Sequence, residues 1–80
     1  MTVEVRLFAT LRQYLPVGSS RTAARIDLPA GGCTADVLSL LGIPPEQAAL
    51  VLVNGRHESD RHRPLGDGNV LGIWPHVAGG

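Results

Sequence analysis

The chain has 80 residues, enough for one small domain with a modest core and little room for an enclosed active site. Apolar residues make up 44% and charged residues 18%, the balance of a soluble globular fold, and no apolar run is long enough to span a bilayer. The formal net charge of +0 gives no electrostatic case for nucleic acid or an anionic membrane, and the single cysteine, Cys33, excludes an internal disulfide.

The elements follow in order. Residues 2–8 alternate, with Val3, Val5 and Leu7 on one face and Thr2, Glu4 and Arg6 on the other, which predicts a half-buried strand. This strand starts at once, with no basic segment and apolar core ahead of it, so a signal peptide is not expected and a cytoplasmic location is. Leu11 and Leu15 are four apart and suit a helical turn or two, ended by Pro16. Gly18, Ser19 and Ser20 mark a loop. Ala24, Ile26 and Leu28 alternate again and predict a second strand that pairs back on the first.

Thr34 is the expected N-cap of the main helix, with Asp36 in its first turn, where a negative charge suits the dipole. Val37, Leu38, Leu40 and Leu41 form its expected apolar stripe, and Gly42 its stop. After a connector through Pro44 and Pro45, residues 50–53 form a continuous apolar run, expected as a central strand parallel to an earlier one. Asn54-Gly55 predicts a type I′ hairpin turn into residues 56–58. Asp67-Gly68 predicts another turn, and residues 70–74 the last strand, ended by Pro75.

This order implies an α+β fold: a mixed sheet of four or five strands with one main helix across one face. Residues 1–75 form the folded domain and residues 76–80 a tail. One helix covers one face of the sheet, yet residues 50–53 and 70–74 are apolar at both alternating sets. The second face is therefore either an exposed interaction surface or partly covered by turns. Trp74 alternates with Ile73 and is expected on that second face as an interface anchor; a core position is the other reading.

The chain ends Gly79-Gly80. Two glycines make a thin, flexible acyl tail that can enter a channel too narrow for other residues. A second enzyme can then reach the carboxylate of Gly80 and activate it. A frayed end is the plain alternative.

The opening VRLFATLRQYLP, the turn VNGR and the ending PLGDGNVLGIWPHVAGG resemble the MoaD/ThiS group of ubiquitin-like sulfur carriers, over nearly the whole chain and in order. The LFATLR opening is closer to the small subunit of molybdopterin synthase than to the thiamine-pathway carrier. The resemblance implies a ubiquitin-like β-grasp fold. It implies that a ubiquitin-activating-like adenylyltransferase, using ATP and Mg²⁺, adenylates the carboxylate of Gly80. Sulfur from a persulfide donor then displaces AMP and leaves a thiocarboxylate, which donates sulfur in molybdopterin biosynthesis within a pocket of the synthase large subunit. The resemblance also implies that the carrier binds no cofactor or metal of its own. It implies a carrier or non-catalytic small subunit of a molybdopterin-synthase-like sulfurtransferase more than an enzyme alone. The alternatives are a carrier for thiamine or another sulfur metabolite, a ubiquitin-like modifier joined through Gly80 to protein amines, and a plain β-grasp adaptor.

The expected site follows from this. Gly80 carries the chemistry, and Val77, Ala78 and Gly79 form the tail that delivers it. From His76 to Gly80 an extended chain reaches on the order of 17 Å. Trp74 stands where the family often has Phe and is expected to meet partners together with Phe8, Leu65, Pro75 and His76. His76 replaces the family's second Pro, which makes the tail less stiff. Asn69 stands where the family commonly has Asp and serves turn geometry equally well. His57, His62 and His76 lack the close spacing of a zinc motif and read as surface residues. Cys33 precedes the helix, where the dipole can lower a thiol pKa and suit redox or persulfide chemistry; a small residue in a turn is the plainer reading.

All seven basic residues are Arg, with no Lys. Codon bias in a high-GC genome is the plain reading of this. An activated acyl terminus also benefits when no copy carries an amine side chain that can attack it, because Lys is a nucleophile and the Arg guanidinium stays protonated. Replacing surface arginines by Lys should then create self-conjugates under activating conditions, visible as ladders on a denaturing gel. A clean single band from the Lys variants would contradict the idea.

Overall fold

A computed structural model describes residues 1–76 of the chain; the expected tail residues Val77, Ala78, Gly79 and Gly80 lie outside the described residues. Strand β1 (Thr2–Leu7) alternates as its sequence does: Val3, Val5 and Leu7 are fully buried, and Arg6 is exposed on the opposite face. It pairs antiparallel with β2 (Ala23–Asp27), from Thr2 opposite Asp27 to Arg6 opposite Ala23. On its other side it runs parallel to β5 (Val70–Trp74), with Val5 opposite Leu71 and Leu7 opposite Ile73. Beyond β5 lie β3 (Leu50–Val53) and the short β4 (Arg56–His57), both in antiparallel pairings. The sheet order is β2-β1-β5-β3-β4. This is the ubiquitin-like β-grasp, a mixed five-stranded sheet with one main helix.

The parallel partner differs from expectation. The run at 50–53 was expected parallel to an earlier strand, but β3 is antiparallel to its neighbours, and β5 is the strand parallel to β1. The reason is burial. Leu71, Gly72 and Ile73 are all buried, so β5 takes the central slot beside β1, and β3 is displaced outward to Leu50, which is 38% exposed.

Helix α1 (Thr34–Leu41) packs Val37 and Leu38 into the core with Val3, Val5, Leu71 and Ile73. Leu41 is partly buried against the same cluster. Leu40, expected in the stripe, is 63% exposed. At about 100° per residue it points well away from the direction shared by Val37, Leu38 and Leu41. Gly42 closes the helix in a left-handed conformation, as expected.

The N-cap is Cys33 and not Thr34. Cys33 is extended, with φ −133° and ψ 177°, and its N–H donates to the Asp36 carboxylate at 2.9 Å. Its thiol lies 3.3 Å from the same oxygen. With Cys33 as the cap, the Ala35 N–H falls among the unpaired donors of the first turn, and it donates to the Arg61 carbonyl at 2.9 Å. Thr34 is drawn inside with its hydroxyl fully buried and unpartnered among the described residues, a cost of about 1–3 kcal/mol.

The Cys33 backbone N–H, and next its thiol, hold the Asp36 carboxyl below the ordinary carboxylate range; partial desolvation opposes them, and His62 adds a smaller pull downward. A lowered folded pKa stabilises the fold above the unfolded value of about 3.9 and loses that contribution as pH falls through the folded value. Asp36→Asn should therefore be less stable than wild type at pH 7, and the gap in urea midpoint should close below about pH 4. A gap that stays constant across this range would contradict the assignment.

Candidate functional site

The sheet has a face that α1 does not cover. Even-numbered residues of β5 and β3 point there: Val70, Gly72 and Trp74, with Leu52 paired to Gly72 and Leu50 to Trp74. Phe8, just past the end of β1, joins them. Its ring stacks on that of Trp74 with centroids 4.0 Å apart and planes 4° from parallel. Both rings are half-buried, as are Leu52 and Val70, while Leu50 is exposed. Together with Arg6 and Gly55, the two rings, Leu52, Val70 and Gly72 line a shallow cleft of about 140 Å³. The uncovered face is therefore apolar near β5 and charged near β2, where Glu4, Arg6, Arg25 and Asp27 point outward. Of the two readings that the sequence left open, Trp74 takes the uncovered face.

Local turns aim these residues. Ala9 follows Phe8 at φ 52°, a left-handed conformation that costs a residue with a Cβ roughly 1 kcal/mol or more. It turns the chain from β1 into the 3-10 helix Ala9–Tyr14, whose Leu11 is fully buried. At the other end of the site, Asn54 and Gly55 have φ 51° and 82°, the paired positive values of the expected type I′ turn. Asn54 also ties this hairpin to β5: its N–H donates to the Val70 carbonyl, and its side-chain oxygen accepts from the Val70 N–H, each at 2.8 Å.

The root of the tail is fixed. The Trp74 carbonyl accepts from the Ala49 N–H at 2.9 Å. Pro75 is half-buried. The His76 ring nitrogen Nε2 lies 3.1 Å from the Glu46 carbonyl, in the 3-10 turn Pro45–Gln47. That turn is held in place by the Tyr14 hydroxyl, which donates to Gln47 at 3.2 Å, and by the Arg61 guanidinium, which donates to the Pro45 and Ala48 carbonyls. The chain thus leaves the sheet from a held position beside the aromatic pair.

Trp74, Phe8, Pro75 and His76 therefore stand together, and Leu65 does not join them. Its N–H donates to the Gly32 carbonyl at 2.8 Å, beside the bridge between Cys33 and Pro64. That pairing carries the segment along the N-terminus of α1 and turns Leu65 into the core, where it is 9% exposed. Cys33 is buried with its thiol on Asp36. His57 pairs with Leu52 at the sheet margin, and His62 is exposed. Among the described residues, no three His, Cys, Asp or Glu side chains gather as a metal would need. Asp67 serves its turn, accepting from the Thr2 N–H at 2.8 Å, and Asn69 caps it by accepting from the Gly66 N–H at 2.7 Å.

Sequence reasoning missed Gly72. A glycine inside an apolar strand signals close approach by another group. The group is Trp74: a Cβ on Gly72 would lie 2.7 and 2.8 Å from Cζ3 and Cη2 of the indole.

A family model described as Mut7-C ubiquitin matches residues 1–79. The chain belongs to the Mut7-C ubiquitin family. Solved structures agree with this ubiquitin-like assignment and with the resemblance to the MoaD/ThiS group. SAMP1 from Haloferax volcanii is 26% identical over 100% of both chains, with a TM-score of 0.72. A protein described as molybdopterin converting factor subunit 1, from Pyrococcus furiosus, is 26% identical over 95% of this chain and 98% of its own, with a TM-score of 0.69. A complex of subunits 1 and 2 of molybdopterin-converting factor from Helicobacter pylori contains a chain of the same fold, 21% identical over 100% of both chains, with a TM-score of 0.64. No match was found among curated proteins. Among the described residues of this Mut7-C ubiquitin domain, no helix is long and apolar enough to cross a membrane.

Proposed function

We propose that this Mut7-C ubiquitin domain is a cytoplasmic sulfur carrier that presents Gly80 to partner enzymes and supplies sulfur for molybdopterin synthesis. The observation that carries this reading is the position of Trp74. It is the outer edge of the uncovered apolar face and also the last strand residue before the segment that ends in Gly79-Gly80. A partner seated on Phe8, Trp74 and Leu52 thus meets the tail root at the edge of its footprint. The likeness to a protein named as subunit 1 of molybdopterin converting factor supports both the pathway and a partner subunit.

The chain's own part is to bind and to position. A carboxylate is a poor acyl donor because its oxygen leaves badly. In the proposed cycle the Gly80 carboxylate attacks the α-phosphorus of ATP on the adenylyltransferase, and pyrophosphate leaves. The terminal sulfur of a partner persulfide then attacks the carbonyl carbon and displaces AMP. A partner thiol cleaves the resulting S–S bond, leaving the thiocarboxylate on Gly80 and a disulfide on the partner. Acid, base and Mg²⁺ come from the partners. The held root, with Trp74 tied to Ala49 and His76 against Glu46, fixes the point beside the docked face from which the chain leaves the sheet.

A second reading is favoured by the likeness to SAMP1, which another structure from the same organism describes as a small archaeal modifier protein. In it, an amine of a target protein takes the place of the persulfide and forms an isopeptide with Gly80. A carrier for thiamine or another sulfur metabolite uses the same first steps.

The test is intact mass spectrometry of the chain after incubation with an adenylyltransferase, ATP, Mg²⁺ and a sulfur donor, beside a control lacking Gly80. The expected result is exchange of one oxygen for sulfur only when Gly80 is present. An unchanged mass with a competent adenylyltransferase, or conjugates to target proteins in its place, would overturn the carrier reading.

A further inference from the structure

Gly72 lies at the centre of the uncovered face, opposite Arg6 on one side and Leu52 on the other. A glycine in a central strand weakens the strand, since it adds no side-chain packing and loses more backbone entropy than other residues. Its place needs a compensating role, and the geometry offers one. The indole of Trp74 leans back along β5 and sets the edge of its six-membered ring in the notch left by the missing side chain. Any Cβ there would sit at 2.7 and 2.8 Å from two ring carbons, closer than real Cβ contacts come. The Phe8 ring is next to it, its Cε2 at 3.6 Å from the same point. An indole is rigid and turns about only two side-chain bonds, so it cannot bend away from a methyl group; it must swing out and lose its stack with Phe8.

We propose that Gly72 is the positioning residue of the docking face, its missing side chain holding Trp74 flat against Phe8 in the arrangement that the adenylyltransferase acting on the adjoining tail binds. The inference rests on the docking reading given above and adds to it the element that preorganises the aromatic pair. A partner then meets a rigid aromatic plate and does not have to order two large side chains on binding, a saving that appears directly in affinity.

The test compares wild type with Gly72→Ala, Trp74→Ala, Trp74→Phe and the Gly72→Ala/Trp74→Phe double variant. Far-ultraviolet circular dichroism checks the fold of each. Near-ultraviolet circular dichroism and emission of the single Trp read the ring in the isolated chain. Affinity is measured for the adenylyltransferase that charges the chain. Gly72→Ala should shift the indole signals and weaken binding by about fivefold or more, an excess over simple strand effects that a double-variant cycle isolates. In the Trp74→Phe background the shorter ring clears the notch, so the same Gly72→Ala change should alter affinity by less than about twofold. Unshifted indole signals in Gly72→Ala, or an equal loss of affinity in both backgrounds, would overturn the positioning role. Weakened binding by Trp74→Ala with none by Gly72→Ala would overturn it too, while keeping the docking face. Unchanged binding by Trp74→Ala would overturn the docking face itself, and the proposal with it. Should Gly72→Ala alone fail to fold, recovery of fold and binding in the double variant supports the role, and failure of the double variant overturns it.

Discussion

One short helix has to cover a sheet wider than itself. Helix α1 has eight residues, about 12 Å of helix at 1.5 Å per residue, whereas five strands at about 4.8 Å spacing span roughly 19 Å. A single helix lies on one face only, where its Val37 and Leu38 share the core with Val3, Val5, Leu71 and Ile73, and at this length it leaves the margins of that face to other segments. The strands most deeply buried, β1 and β5, meet at the centre in the sheet's parallel pairing, and Val5, Leu7, Leu71 and Ile73 form the floor of the core. The same two strands also present their other faces outward. The residues that no helix covers, Phe8 and Trp74, are thus held in place by the best-packed part of the molecule.

This arrangement gives the domain its one directional property. Strand β5 is anchored on both sides, and its last residue belongs at once to the core sheet, the aromatic pair and the start of the tail. The Trp74 carbonyl and the His76 ring are each tied to the segment at 46–49, which the Tyr14 and Arg61 side chains brace in turn. A partner that grips the aromatic pair is therefore registered against the tail root through rigid connections. No side chain of the chain need act as acid or base for such a part, and none of its described carboxylates, imidazoles or thiol gathers with others on the aromatic face. The charged half of the uncovered face, around Glu4 and Arg25, leaves the apolar half as the surface whose desolvation favours association.

Much of this was legible in the residues because local rules governed it. Alternation in β1 and β2, the left-handed stop at Gly42 and the type I′ turn at Asn54-Gly55 depend on residues next to one another in the chain. So does the outward direction of Trp74, set by Ile73 beside it. What the sequence hid depended on distant partners. The slot of β3 was decided by the greater burial of β5, twenty residues later in the chain. The partner of the Ala35 N–H in the first turn of α1 is the Arg61 carbonyl, 26 residues away. Leu65 reads as one apolar residue in a turn until its bond to Gly32 carries it into the core. Leu40 leaves the stripe for a simpler reason: four apolar residues in five span too wide an arc for one helix face. Gly72 carried a signal, a glycine inside an apolar strand, whose meaning needed the position of the Trp74 ring.

The central claim is that partners meet this domain on the uncovered sheet face beside the tail, and not on the helix. A titration of the isotope-labelled chain with its adenylyltransferase, followed by amide chemical shifts, tests it most directly. The account predicts shifts concentrated at Arg6, Phe8, Leu52, Gly72 and Trp74 and along the residues after Pro75, with Ala35, Ser39 and Leu40 of α1 unmoved. Shifts centred on the exposed side of α1, with the aromatic pair silent, would contradict it.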